Sequence, residues 1–328
     1  MLSKEIVAVS NLTKKFGSLT AVDNISFSIK KGEIFGFLGP NGAGKTTTIN
    51  MLSTLLRPTS GDAIINGTSI LSDKDRIRRD IGIVFQIPAL DDQLTGRENL
   101  DFHARLYNLD KDERKRKIRW ALRLVELEDK ADILVRNYSG GMRRRLEIAR
   151  GLIHKPEVLF LDEPTLGLDA QTRRKVWEYI RHLNKKEGLT VLLTTHYMEE
   201  ADNLCDRVAI IDHGRIIVND TPGNLKKIIG GDIVTVKVSR RINDLIANLK
   251  KFKWVTNIKI KNKTLIVTMA DAEKNVPKLF LMSNRLGINI KSLNVKEPTL
   301  EDVFLHFTGR SIREEKAPLM MARRFMKR

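Results

Sequence analysis

Apolar positions in this chain follow two rhythms. Almost unbroken apolar runs recur at Glu33-Ile34-Phe35-Gly36-Phe37-Leu38, at Ile81-Gly82-Ile83-Val84-Phe85-Gln86, at Val158-Leu159-Phe160-Leu161, at Leu189-Thr190-Val191-Leu192-Leu193 and at Arg207-Val208-Ala209-Ile210-Ile211, with Arg215-Ile216-Ile217-Val218 as a last, short one. They read as buried strands. Val22 to Ile29 instead alternates apolar and polar, apart from a break at Asn24, and Ile6 to Val9 is a short apolar run; both predict strands near the N-terminus. Between the runs the spacing turns helical. Thr47 to Leu56 puts Leu52, Leu55 and Leu56 on one side, Leu146, Ala149, Leu152 and Ile153 form a stripe, and 170–187 and 197–204 read as further helices. Residues 95–135 combine helical periodicity with dense charge, as in Lys111-Asp112-Glu113-Arg114-Lys115-Arg116-Lys117. They predict an inserted helical subdomain, about 88–155, whose charge run is either a solvated face or a docking surface. The expectation for residues 1–229 is an α/β domain with an N-terminal antiparallel β region.

After Gly230-Gly231, read as a linker, the order changes to strand 233–238, helix 241–250, strands 255–260 and 264–269, helix 273–286 and strand 288–293. This βαββαβ order predicts a small α+β domain over 230–310, of the ferredoxin-like split kind. Thr299 and Asp302 have the spacing of a capping box at the start of a last helix. Residues 311–328, apolar and basic, are expected to be a flexible tail that docks on a partner or on anionic lipid.

Composition adds limits. A chain of 328 residues, 41% hydrophobic and 30% charged, fits a soluble protein with one large and one smaller domain. No apolar run approaches the ~18 residues that span a bilayer. The N-terminus carries no apolar block of signal-peptide length, so a cytoplasmic protein is expected, with any membrane role supplied through a partner. A single cysteine, Cys205, agrees with a reducing compartment. Of the formal net charge of +18, most lies late: residues 231–328 hold 21 Lys and Arg against 9 Asp and Glu. Such an end suits an acidic partner, an anionic membrane surface or nucleic acid, or simply a solvated surface.

The chemistry concentrates where apolar runs end. Gly39-Pro40-Asn41-Gly42-Ala43-Gly44-Lys45-Thr46-Thr47 fits G-x-x-x-x-G-K-[ST] between a predicted strand and a predicted helix. Glycines let backbone N–H groups converge on phosphate, the helix start adds its dipole, Lys45 supplies a cation and Thr46 a hydroxyl for Mg²⁺. Gln86, Asp162, Glu163 and His196 each close a buried run, where α/β sheets place ligand contacts. Asp162 suits a Mg²⁺ role and Glu163 that of a general base toward water. His196 is placed for a hydrogen bond to a γ-phosphate. Tyr138-Ser139-Gly140-Gly141-Met142 opens a helix, either as an ordinary N-cap or as a second anion site. Arg143, Arg144 and Arg145 behind it either add positive potential or face water. Asp169 reads as a helix cap. Phe16, placed on a loop between two strands, either stacks on a nucleobase or is core.

Taken in order, GPNGAGKTT at 39–47, Gln86, YSGGM at 138–142, LFLDEP at 159–164, LGLD at 166–169 and His196 resemble the nucleotide-binding subunit of ABC transporters. The resemblance covers roughly residues 4–220. Residues 230–310, with EPTLEDVFLHFTGR at 297–310, are similar to the C-terminal extension of daunorubicin-resistance-type exporter ATPases. The resemblance implies a P-loop NTPase fold, ATP and Mg²⁺ as ligands, and ATP hydrolysis. It implies that Phe16 stacks on adenine and that the loop from Gly39 to Thr47 holds the phosphates. Thr46, Gln86 and Asp162 would attend Mg²⁺, while Glu163, His196 and Lys45 carry catalysis. Ser139, Gly140 and Gly141 would reach the γ-phosphate on a second copy, and Asp169 is counted among the nucleotide-binding residues. Tyr138 and Met142 depart from the usual LSGGQ. Implied partners are a second copy of the chain and a separate integral membrane permease, on the cytoplasmic face of a membrane. A non-transport ABC ATPase acting on nucleic acid or ribosomes is the alternative, and such chains often carry two cassettes or a long coiled coil, which this one lacks.

Overall fold

In the computed structural model, residues 5–238, 241–261 and 264–309 are described, and the expected tail at 311–328 lies outside them. Two strands, β1 (Glu5–Phe16) and β2 (Leu19–Lys30), pair antiparallel and are far longer than their apolar patterns suggest. Irregular register between Val9 and Lys14, with Asn11 at φ 51° and Asn24 at φ 51°, hides the alternation that would have revealed their length. Phe16 is therefore the end of a strand, not a loop residue. After β3 (Ile34–Leu38) comes α1 (Lys45–Leu52). This helix is shorter than its apolar spacing predicts. Thr54 turns to φ 63°, and Leu55, expected on the packed side, is exposed.

Next come β4 (Ser60–Ile65), β5 (Thr68–Ser69), α2 (Lys74–Asp80) and β6 (Ile81–Val84). Three helices fill the charged region: α3 (Gly96–Leu106), α4 (Lys111–Leu124) and α5 (Gly140–Leu152). A Thr95–Glu98 capping box starts α3 and Asp110 caps α4, so both helix starts have their backbone donors met. The remainder of the large unit is β7 (Val158–Asp162), α6 (Ala170–Glu187), β8 (Thr190–Thr195), α7 (Met198–Leu204), β9 (Arg207–Asp212) and β10 (Arg215–Asp220).

Two sheets result. One is antiparallel, in the order β2-β1-β4-β5; the other runs β10-β9-β3-β8-β7-β6, parallel except for β10. A shared apolar core lies between them and around α1. Phe27 of β2 packs on Phe35 and Phe37 of β3, with ring centroids 5.5 and 4.9 Å apart. Strands β3, β7 and β8 are buried along their whole length, as expected for a parallel sheet covered on both faces.

Backbone contacts divide the chain between Asp220 and Thr221. The second unit begins with α8 (Pro222–Lys227), earlier than the Gly230-Gly231 linker, because α8 packs on the last helix. Strand β11 (Asp232–Val238), α9 (Ile242–Leu249), β12 (Val255–Lys261), β13 (Thr264–Met269), α10 (Ala272–Arg285) and β14 (Ile290–Lys296) follow, and α11 (Leu300–Thr308) ends the described chain. The sheet is antiparallel, ordered β12-β13-β11-β14, with two helices inserted as βαββαβ requires. Thr299 and Asp302 form the expected capping box on α11. Among the described residues, no helix is long and apolar enough to cross a membrane.

Truncating the fully buried Phe37 should remove its contacts with Phe27 and Phe35 and leave a cavity. Phe37→Ala is expected to cost about 3–5 kcal/mol, read as a lower denaturant midpoint for the large unit.

Candidate active site

Parallel pairing sets the site. Leu38 of β3 lies beside Thr195 of β8, and Thr194 of β8 beside Asp162 of β7. The residues that follow these strand ends, Gly39, His196 and Glu163, therefore leave the sheet at one edge. This is the C-terminal edge, where parallel sheets gather ligand contacts.

The loop from Gly39 turns back through Gly42 at φ 83° and Gly44 at φ 100°. Gly42 has open space where a side chain would stand, and a Cβ at Gly44 would fall 2.5 Å from the carbonyl oxygen of Ala21. The first residue of α1 is Lys45, so its free N–H groups open directly onto the loop. The Lys45 ammonium is buried and donates to the carbonyl oxygens of Gly39 and Pro40, at 2.8 and 3.0 Å. It also lies 3.4 Å from Oε1 of Glu163. Thr46 donates from Oγ1 toward Asp162, whose Oδ2 is 2.9 Å and Oδ1 3.1 Å away.

Glu163 is the strained member. Its φ of 48° is uncommon for a residue with a side chain and costs on the order of 1–3 kcal/mol. Its N–H is held by Thr194, with Oγ1 at 3.0 Å and the carbonyl oxygen at 3.2 Å. The Thr194 hydroxyl in turn donates to Oδ1 of Asp162. Nδ1 of His196 stands 3.2 Å from Oε2 of Glu163, but outside hydrogen-bonding direction. Burial works against the charge of Glu163; His196 and Lys45 outweigh it and hold the carboxyl below its usual value of 4.5.

A buried carboxylate on a raised-energy backbone, a buried ammonium and a histidine can together hold a polyanion and an ionised base in one place. The hydroxyl of Thr46 and the carboxylate of Asp162 are hard oxygen donors of the kind Mg²⁺ takes. Among the described residues, no group of three or more His, Cys, Asp and Glu could hold a metal by itself. The pair fits an ion that keeps water and phosphate oxygens as its other ligands.

Other expected residues stand apart from this cluster. Gln86 is exposed, two residues beyond β6. Phe16 is 48% exposed, and Nζ of Lys14 lies 5.1 Å from its ring centre. Ser139 caps α5, accepting from the Met142 N–H at 3.3 Å, and Gly140 and Gly141 form the first helical residues. A Cβ at Gly141 would meet Thr172 at 2.6 Å. Asp169 caps α6 through the Thr172 N–H. Tyr138, in place of the usual leucine, is buried and donates its hydroxyl to the Lys130 carbonyl at 2.7 Å.

The three arginines differ in setting, with Arg143 and Arg145 partly exposed to water. Arg143 pairs with Asp92 at 2.6 Å, Arg144 is buried, and Arg145 donates to the Val125 carbonyl. Three contributors escaped the sequence reading. Thr194 bridges Asp162 and Glu163. The fully buried Glu200 accepts at Oε1 from Thr165 and Trp177, both at 2.8 Å, joining α7 to α6 and its preceding loop. Burial raises its pKa, although hydrogen bonds from Thr195, Thr165 and Trp177 oppose that. The third is the pair Arg144 and Glu147, whose i,i+3 spacing was its only signal.

A depressed Glu163 pKa fixes a sign. Its charge contributes stability above 4.5 and loses it as pH falls through the lower folded value. The melting temperature of wild type should exceed that of Glu163→Gln most at neutral pH, and the gap should close under acid. A gap that widens on acidification would contradict the ion contacts.

Residues 22–166 match the family model described as ABC transporter. Residues 221–308 match a second, described as the C-terminal domain of ATP-binding proteins like DrrA1-3. The chain is 40% identical over 312 residues to the linearmycin resistance ATP-binding protein LnrL of Bacillus subtilis, covering 94% of this chain and all of that one. It is 38% identical over 305 residues to the daunorubicin/doxorubicin resistance ATP-binding protein DrrA of Streptomyces peucetius, with 92% of each chain covered. Among solved structures, it resembles the dimeric cassette MJ0796 bound to ADP and Pi, at a TM-score of 0.59 and 31% identity, over 66% of this chain and 98% of that one.

Proposed function

The chain belongs to the ATP-binding subunits of ABC transporters and is an ATP-hydrolysing cassette, and on that premise we propose that it powers export through a separate membrane subunit. Both curated relatives just described are resistance proteins by name, which favours outward transport of a toxic compound over work on nucleic acid. Cargo selection is assigned to the membrane subunit, and the cassette itself to the cytoplasmic face. The observation that carries the reading is the meeting of Lys45, Thr46, Asp162, Glu163 and His196 at one strand edge.

We assign roles in keeping with that geometry. The open glycine loop and the start of α1 receive the β- and γ-phosphates, and Lys45 turns its ammonium to them. Thr46 and Asp162 hold Mg²⁺, which when bound neutralises charge on the phosphates. Glu163, already ionised, accepts the proton of the attacking water, while His196 donates toward the γ-phosphate. Phe16 offers its exposed ring to adenine, and Gln86 stands ready on the loop nearest β6. Ser139, Gly140 and Gly141 form a second helix start with free N–H groups. Two copies related by a two-fold axis would each lend this start to the other's nucleotide, so that ATP favours the closed pair and hydrolysis releases it.

Glu163→Gln should retain ATP binding and lose turnover by roughly 10²–10⁴-fold, accumulating as a dimer with ATP on size-exclusion chromatography. Normal hydrolysis in that variant would remove Glu163 from the role of base. Lys45→Ala should lose ATP affinity in a direct binding titration. Purification from native membranes should bring down a hydrophobic integral subunit; recovery of RNA in its place would overturn the exporter reading.

A further inference from the structure

Arg144 sits on α5 with 7% of its surface exposed, yet its guanidinium has no N–H left over. Nε donates to the Pro164 carbonyl at 2.6 Å. Nη1 donates to the Phe85 carbonyl at 2.8 Å and to Oε2 of Glu147 at 2.9 Å. Nη2 donates to the carbonyls of Asp162 and Glu163, at 3.1 and 3.2 Å. These bonds match the five donors that a guanidinium has to give. Glu147, 1% exposed, is also used at both oxygens: Oε2 by Arg144 and Oε1 by the Ala89 N–H at 2.8 Å. One buried ion pair thus grips two loops at once. It holds the segment on either side of Gln86 through Phe85 and Ala89, and the turn that carries Glu163 through three successive carbonyls.

We infer that the Arg144–Glu147 pair positions Glu163 and couples it to the Gln86 loop. The turn at 162–164 points successive carbonyls at one guanidinium, with the intervening Glu163 at φ 48°. A backbone in that region persists only when its surroundings hold it, and Arg144 supplies the hold on the carbonyl side as Thr194 does on the N–H side. A shift of the loop around Gln86 pulls Phe85 and Ala89 and hence the pair. Because every donor is committed and buried, the guanidinium cannot follow one loop without breaking bonds to the other. Displacement at residues 85–89, where a partner can reach the exposed Gln86, is therefore felt at the Glu163 carboxylate. Lysine cannot replace the arginine, since three donors on a tetrahedral head do not match a planar fork of five. The inference rests on Glu163 acting as the base.

Arg144→Lys keeps the charge beside Glu147 and abolishes the fork. In the full chain it should lower kcat on the order of 10²-fold, with KM for ATP within about twofold. Amide hydrogen exchange should rise together at 85–92 and 162–168 while the α5 core at 146–152 stays protected. Glu147→Gln, which keeps an oxygen for Ala89 but not the charge, should show a smaller loss of kcat with the same paired rise in exchange. Wild-type kcat in Arg144→Lys, or exchange rising in one loop alone, would overturn the coupling. A uniform rise across the large unit would do so too, by making the pair merely structural. Glu163→Gln separates the two readings. If it hydrolyses ATP normally while the loops in Arg144→Lys loosen together, the base assignment falls and the coupling of the loops stands. If it is inactive while Arg144→Lys is normal, the coupling alone falls.

Discussion

Strand register is the constraint on which the rest of the large unit depends. With β3, β8 and β7 hydrogen-bonded in parallel, Leu38, Thr195 and Asp162 end at one edge. Slipping β8 by one residue would turn each of its side chains to the opposite face. The Thr194 hydroxyl would then no longer lie between Asp162 and the Glu163 N–H. Full burial of all three strands penalises that slip, because no face is left where a polar side chain can meet water. The core gives the site its precision, and the chemistry is carried by residues just outside it.

Much of this was legible in the sequence because polar residues at the ends of apolar runs are few and costly. Asp162, Glu163 and His196 stand out on that ground alone, and their meeting follows from parallel pairing. The glycine loop was legible for a different reason: its φ values of 83° and 100° exclude most other residues, so the backbone requirement is written in composition. The order of elements in the second unit was also visible, since its strands and helices differ cleanly in period.

What stayed hidden was of two kinds. Bulged strands lose their alternation, so β1 and β2 looked like fragments of themselves. Buried charge was harder still. Arg144 is flanked by two other arginines and looks like one of three solvated cations, yet only it is fully enclosed. Nothing in a string of letters gives the carbonyls of Phe85, Asp162, Glu163 and Pro164 as its acceptors, because backbone oxygens leave no mark on composition. Glu200 is concealed in the same way beside Glu199, one turned into the protein toward Trp177 and the other within 3.9 Å of Arg174 at the surface.

The left-handed backbone at residue 163 also governs how substitutions there are to be understood. A φ of 48° is open to glycine and, at some cost, to asparagine, aspartate and unbranched side chains, but poorly to valine, isoleucine or threonine. A β-branched replacement would first move the peptide that Arg144 and Thr194 hold, and only then remove a carboxylate. Two variants that both lack the acid can therefore report on different things, one on charge and the other on main-chain shape. A ranking of residue 163 by side-chain acidity alone would mix a chemical scale with a conformational one.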